Sequence, residues 1–78
     1  MITGSQIREA RCLLGWTEKE LARRSKLSLG ALARAEKSEG EPMITIVQLD
    51  ALLKTFREAG VEFMPENGGG PGVQLRKL

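Results

Sequence analysis

Residues 16–37 read WTEKELARRSKLSLGALARAEK, two short helical patterns with only Ser25, Lys26 and Leu27 between them. Thr17 opens the first pattern and Glu20 follows three positions later. That is the spacing of a capping box, in which the hydroxyl accepts an amide hydrogen bond and the carboxylate reaches back. Ser28 opens the second pattern, which places Leu32 and Ala35 on an inward face and Leu29, Gly30, Ala33 and Arg34 on the opposite one. Neither helix is long enough to be stable alone, so the pair reads as a helix-turn-helix that needs the rest of the chain beneath it.

Charge says what the unit is for. Between residues 19 and 37 stand six basic side chains, Lys19, Arg23, Arg24, Lys26, Arg34 and Lys37, and two acidic ones, Glu20 and Glu36. The whole chain carries only +2, so the excess is local: residues 45–78 hold four charges of each sign. A helix pair with a basic surface points to DNA, with the second helix, residues 29–37, propped up for presentation to a groove.

Other chemistries lack their residues. Histidine is absent and Cys12 is the lone cysteine, so there is no metal-ligand spacing, no internal disulfide and no histidine for general acid–base work. The reading is therefore of a non-enzyme with no metal and no cofactor. No stretch has the pattern of a signal peptide or the length of a membrane span, which gives a cytoplasmic expectation and no membrane partner. A chain of 78 residues buries only about 60–65% of its unfolded surface, which favours a homodimer.

Outward from the helix pair, Thr3 and Gln6 form another capping box and begin a helix over about 4–14. Ile7, Ala10 and Leu14 make its apolar stripe, and Gly15 ends it. Arg11 lies on the edge of that stripe, where it either snorkels to water or meets a buried carboxylate. Trp16 can staple onto Leu21 or sit in the core, and Leu27 plugs the core beneath the turn. Gly30 weakens its helix by about 1 kcal/mol relative to alanine, which a close backbone approach or plain sequence drift would explain. Thr45 and Gln48 open a further helix whose stripe is Ile46, Leu49, Leu53 and Phe56, with Val47 and Leu52 off it.

After Gly60 the period changes. Val61 and Phe63 alternate with Glu62 and Met64, PENGGGPG follows, and Val73 and Leu75 alternate with Gln74 and Arg76. Two strands joined by a glycine-rich connection, or a disordered glycine-rich tail, account for this composition. A two-stranded ribbon is marginal alone, which suggests that Val61, Phe63, Val73 and Leu75 pair with a second copy. The expected organisation is a helix-turn-helix domain over residues 1–60 and a dimerising β extension over 61–78.

These residues resemble the lambda-repressor-like, or Cro/C1 (XRE-type), helix-turn-helix DNA-binding proteins. The resemblance covers residues 5–58 and rests on Trp16-Thr17, Leu21-Ala22, Leu27-Ser28 and Glu36. It implies a mainly α bundle of about four helices, here with a C-terminal strand pair where the family usually has a fifth helix. It also implies a salt bridge between Arg11 and Glu36. The chain departs from the family pattern at Glu18, where a glutamine commonly touches the DNA backbone. It departs again at Lys26 and Ser38, where glycines are usual, and in the loop bearing Glu39 and Glu41.

The function so implied is sequence-specific binding of double-stranded DNA, with a palindromic operator, by a small dimeric transcriptional regulator. Leu29, Gly30, Ala33 and Arg34 would face base edges; Thr17, Arg23, Lys26, Ser28 and Lys37 would hold phosphates. The alternative on the same fold is a protein-interaction or antitoxin-like module, favoured by Glu18 and the acidic loop.

Overall fold

A computed structural model describes residues 2–40, 42–64 and 72–75. The elements run α1 (Gly4–Leu13), α2 (Glu18–Ser25), α3 (Leu29–Lys37), α4 (Ile46–Glu58), β1 (Val61–Met64) and β2 (Gly72–Leu75). The architecture is that of a helix-turn-helix bundle with a strand pair after it, as the residues suggested.

Every helix starts on a hydroxyl. Thr3, Thr17, Ser28 and Thr45 each accept the amide three residues on, which satisfies one of the unpaired donors of a first turn. The boxes at Thr3–Gln6 and Thr45–Gln48 are reciprocal. The one expected at Thr17 is only half made. Glu20 instead turns its carboxylate to Arg23, at 2.7 and 3.2 Å, and to Arg24 at 2.8 Å. Charge-assisted bonds to two guanidinium groups outweigh one neutral amide, and they hold the Glu20 carboxyl below its ordinary pKa, Arg23 contributing most.

The helix stops are equally local. Gly15 takes φ +70° and turns the chain from α1 into Trp16. Lys26 takes the left-handed conformation at φ 62°, ψ 27°, in the place where glycine would be unstrained. Ser38 needs no such freedom, because the chain leaves α3 in an extended conformation, with the Ser38 hydroxyl donating to the Arg34 carbonyl at 3.1 Å. Lys26→Gly is accordingly expected to stabilise the protein by about 0.5–1 kcal/mol, relief of strain exceeding the added chain entropy. Urea denaturation checks it, and a loss of stability would contradict the strain account.

The core is Ile7 and Ala10 of α1, Leu21 and Ala22 of α2, Leu32 and Ala35 of α3, Leu52 and Phe56 of α4, and Val61 of β1. Leu14, Trp16 and Leu27 pack on its margin. The expected stripe of α4 is corrected by this packing. Leu52 is fully buried, whereas Ile46 is 80% exposed and Val47 78%. The rotation of α4 follows from its far end, where Phe56 stacks on Trp16 with centroids 6.3 Å apart and meets Phe63 edge-on at 5.5 Å. With Phe56 so held, the residue one turn earlier, Leu52, comes to the centre of the buried face.

β1 and β2 pair antiparallel, in the register Val61 to Leu75 and Phe63 to Val73. The ribbon finds its partner surface within its own chain. β2 packs on α1 and β1 on α4, with Val61 buried and Phe63 and Val73 half-buried against the core. The backbone of Leu75 belongs to the ribbon, but its side chain lies outside the described residues, as does most of the glycine-rich connection. Any contact between copies through this element would therefore use its outer face or its edge.

Candidate nucleic-acid interface

α3 has two unlike faces. Ala31, Leu32, Ala35 and Glu36 are buried, whereas Leu29, Gly30, Arg34 and Lys37 are exposed and Ala33 is half-buried. The four residues expected to read bases thus lie together on the outer side. Gly30 serves no packing need there. A β-carbon added to it would have Arg34 Nη1, 3.9 Å away, as its nearest neighbour. Among the described residues no close approach explains this glycine.

The expected phosphate-holding residues sit around that face. Ser28 and Thr17 are exposed caps whose oxygens accept the Ala31 and Glu20 amides at 3.1 Å. Each hydroxyl proton is left to donate outward. Lys26 projects from the turn between α2 and α3, and Lys37 from the last turn of α3. Arg23 is different: although exposed, it is held by Glu20. The pairing of Glu20 with both arginines was readable as i, i+3 and i, i+4 spacing on one helix, but the capping pattern pointed the carboxylate elsewhere. Arg24 also lies over the Trp16 ring, 4.5 Å from its centroid.

Two contacts from α1 hold α3 in place. The first is the pair between Arg11 and Glu36, bidentate at 2.9 and 3.0 Å. A third arginine bond goes to the Trp16 carbonyl at 2.9 Å. Arg11 keeps 16% of its side-chain surface and Glu36 5%, so the bridge is enclosed. Donating its hydrogen bonds to the Glu36 carboxylate raises the Arg11 pKa above its ordinary value.

The second contact had no sequence signal beyond a glycine in the first turn of a helix. Gly4 sits against the end of α3, where a β-carbon would run into the carbonyl oxygens of Ala35 and Ser38. Its amide donates to the Gly40 carbonyl at 3.2 Å. The amide-rich start of α1 therefore abuts the carbonyl-rich end of α3, a favourable meeting of dipoles.

Among the described residues no group of acidic, cysteine or histidine side chains is placed to hold a metal ion, and no helix is long and apolar enough to cross a membrane. No match to the chain is found among curated proteins. The family model described as Helix-turn-helix does match, over residues 7–58. That span takes in most of α1, all of α2 to α4, both faces of α3 and the Arg11–Glu36 bridge, and the chain belongs to this family, the DNA-binding Cro/C1-type helix-turn-helix proteins.

Proposed function

We propose that the protein binds a palindromic double-stranded DNA site as a homodimer and regulates transcription, with α3 in the major groove. The observation that carries this is the outer face of α3. Leu29, Gly30 and Arg34 are exposed on a helix whose other side is buried and bridged to α1. Arg34 is the base reader best suited to a bidentate contact, with guanine O6 and N7 as its natural partners. Leu29 and Ala33 offer apolar contact to thymine methyl groups. Gly30 lets the groove wall come close. Thr17, Ser28, Lys26 and Lys37, with Arg23 if it leaves Glu20, hold phosphates and set the register.

Selection of sites from a random duplex pool at fixed salt tests this reading, and an enriched palindrome is the expected result. Arg34→Ala should weaken the selected site by about 1–3 kcal/mol and relax one base position, whereas Lys37→Ala should weaken all sequences alike. Equal losses on selected and random duplexes for Arg34→Ala would remove the base-reading role.

One observation favours protein binding on the same fold, as in an antitoxin-like module. Glu20 occupies both Arg23 and Arg24, and Glu18 adds another negative charge to the same first turn of α2. The charge left for phosphate is correspondingly smaller. The salt dependence of binding separates the two readings, since phosphate contacts give a log–log slope of about −0.9 per contact and a protein partner need not.

A further inference from the structure

Between the last turns of α2 and the C-terminal half of α4 runs a cleft that reading DNA does not require. Two adjoining pockets make it, of about 300 and 280 Å³, and they share Arg24, Thr55 and Glu58. The first also holds Trp16 and Ala59, the second Lys26 and Lys54. Together they reach the ~300–1,000 Å³ of a small-molecule site.

The charged groups of this cleft are placed but not paired with one another. Lys26, Lys54 and Glu58 have no ion-pair partner among the described residues, although Lys54 and Glu58 are four positions apart on one helix. Arg24 is held from two sides, by its Nε bond to Glu20 at 2.8 Å and by the Trp16 ring 4.5 Å away. Its terminal nitrogens have no hydrogen-bond partner among the described residues. Lys26 stands in the left-handed turn where glycine would be unstrained, and backbone strain gathers at sites that bind.

We propose that this cleft binds a nucleoside phosphate. The two pockets match the two halves of such a ligand. In the first, Arg24 lies over Trp16 and is exposed on its other side, which offers a nucleobase a guanidinium to stack on. The Glu58 carboxylate, an acceptor only, is there for the hydrogens of an exocyclic amino group or a ribose hydroxyl. In the second, Lys26, Lys54 and the terminal nitrogens of Arg24 meet the phosphate. The hydroxyls nearby are engaged: Thr55 donates to the Ala51 carbonyl at 2.8 Å and Ser25 to that of Leu21 at 2.7 Å. The cations therefore hold the anion, and three of them against one carboxylate favour a phosphate ester over a neutral nucleoside. A bare anion would leave the Arg24–Trp16 platform unused.

The chain has one tryptophan, so Trp16 fluorescence reports the cleft directly and without DNA. Failure of this test leaves the DNA reading as it stands. Adenosine 5′-monophosphate titrated into the full chain should quench the signal with a Kd of about 0.1–1 mM. Orthophosphate and adenosine, each supplying half of the contacts, should bind at least about tenfold more weakly. Lys54→Gln and Arg24→Lys alter exposed side chains, and circular dichroism verifies their folding. Each should lose about tenfold, the first through charge and the second through the planar fork at constant charge. Calorimetry reads the Arg24→Lys variant independently of the Trp16 signal. Arg8→Gln removes the same charge from an exposed position on α1 and should bind as the parent does. Quenching that does not saturate by about 10 mM would overturn the proposal. So would an Arg8→Gln loss equal to that of Lys54→Gln, which marks a general charge effect, or orthophosphate binding as tightly as the nucleotide.

Discussion

Glu36→Gln is expected to destabilise the fold by about 3 kcal/mol, the lower end of the range for breaking a buried ion pair. Glutamine keeps the volume and one acceptor but removes the charge. The Arg11 guanidinium would then remain enclosed, with the Trp16 carbonyl as its remaining strong acceptor. The loss is large because the desolvation of Arg11 is no longer offset, not because the intact bridge is strongly stabilising. A paired replacement makes the distinction. Arg11→Met with Glu36→Leu should recover most of the stability, since the buried charge goes with its partner. Thermal unfolding measures both, with a fall of more than about 10 °C for Glu36→Gln in a chain of this size. A single variant within about 1 kcal/mol of the parent would show that the bridge is more hydrated than its geometry indicates.

The second large effect is expected at Gly4. A methyl group there meets backbone oxygens of Ala35 and Ser38, and backbone cannot swing aside as a long side chain can. α1 must back away from α3 or lose its first turn. Either response puts at risk the Gly4 amide bond to Gly40 and the buried Thr3–Gln6 box. Gly4→Ala should therefore cost about 2–3 kcal/mol, even though alanine is the better helix former by about 1 kcal/mol. Ser5→Ala, at the exposed neighbouring position, should change stability by less than about 0.5 kcal/mol. Chemical denaturation of the two variants side by side is the measurement. Equal stabilities would mean that the two helices are not in register contact at Gly4.

Those two positions also mark what could be read from the residues and what could not. The helix starts were legible, because a hydroxyl capping an amide three residues on is chemistry within a single turn. At Lys26 only the departure from the usual glycine was legible, and the left-handed turn itself appears in the folded chain. Arg11 was conspicuous on its stripe, yet its partner is 25 positions away and came from family resemblance, not from spacing. Contacts that exist only after packing left no such trace. The closeness of Gly4 to Ala35 depends on how two helices lie. The rotation of α4, which buries Leu52 and exposes Ile46, depends on the rings of Trp16, Phe56 and Phe63 coming together. Val61, Phe63 and Val73 alternated as strand residues should, but alternation does not say whose core they face. Within the candidate interface, the grouping of Leu29, Gly30 and Arg34 followed from helical period alone. The capture of Arg23 and Arg24 by Glu20 did not, because the same carboxylate satisfied two local patterns at once.

The separation between the two sides of α3 bears on how such a protein changes over time. The residues that hold the helix, Leu32, Ala35 and Glu36, share no position with those on its outer face. Around Gly30 the space is open to larger side chains. Mutation can therefore explore the outward positions without passing through unfolded intermediates, and the inward positions can stay as they are while the outer ones are rewritten. A lineage built on this arrangement can diverge in what it recognises while keeping one scaffold, and an engineer can use the same freedom by varying positions 29, 30, 33 and 34 alone.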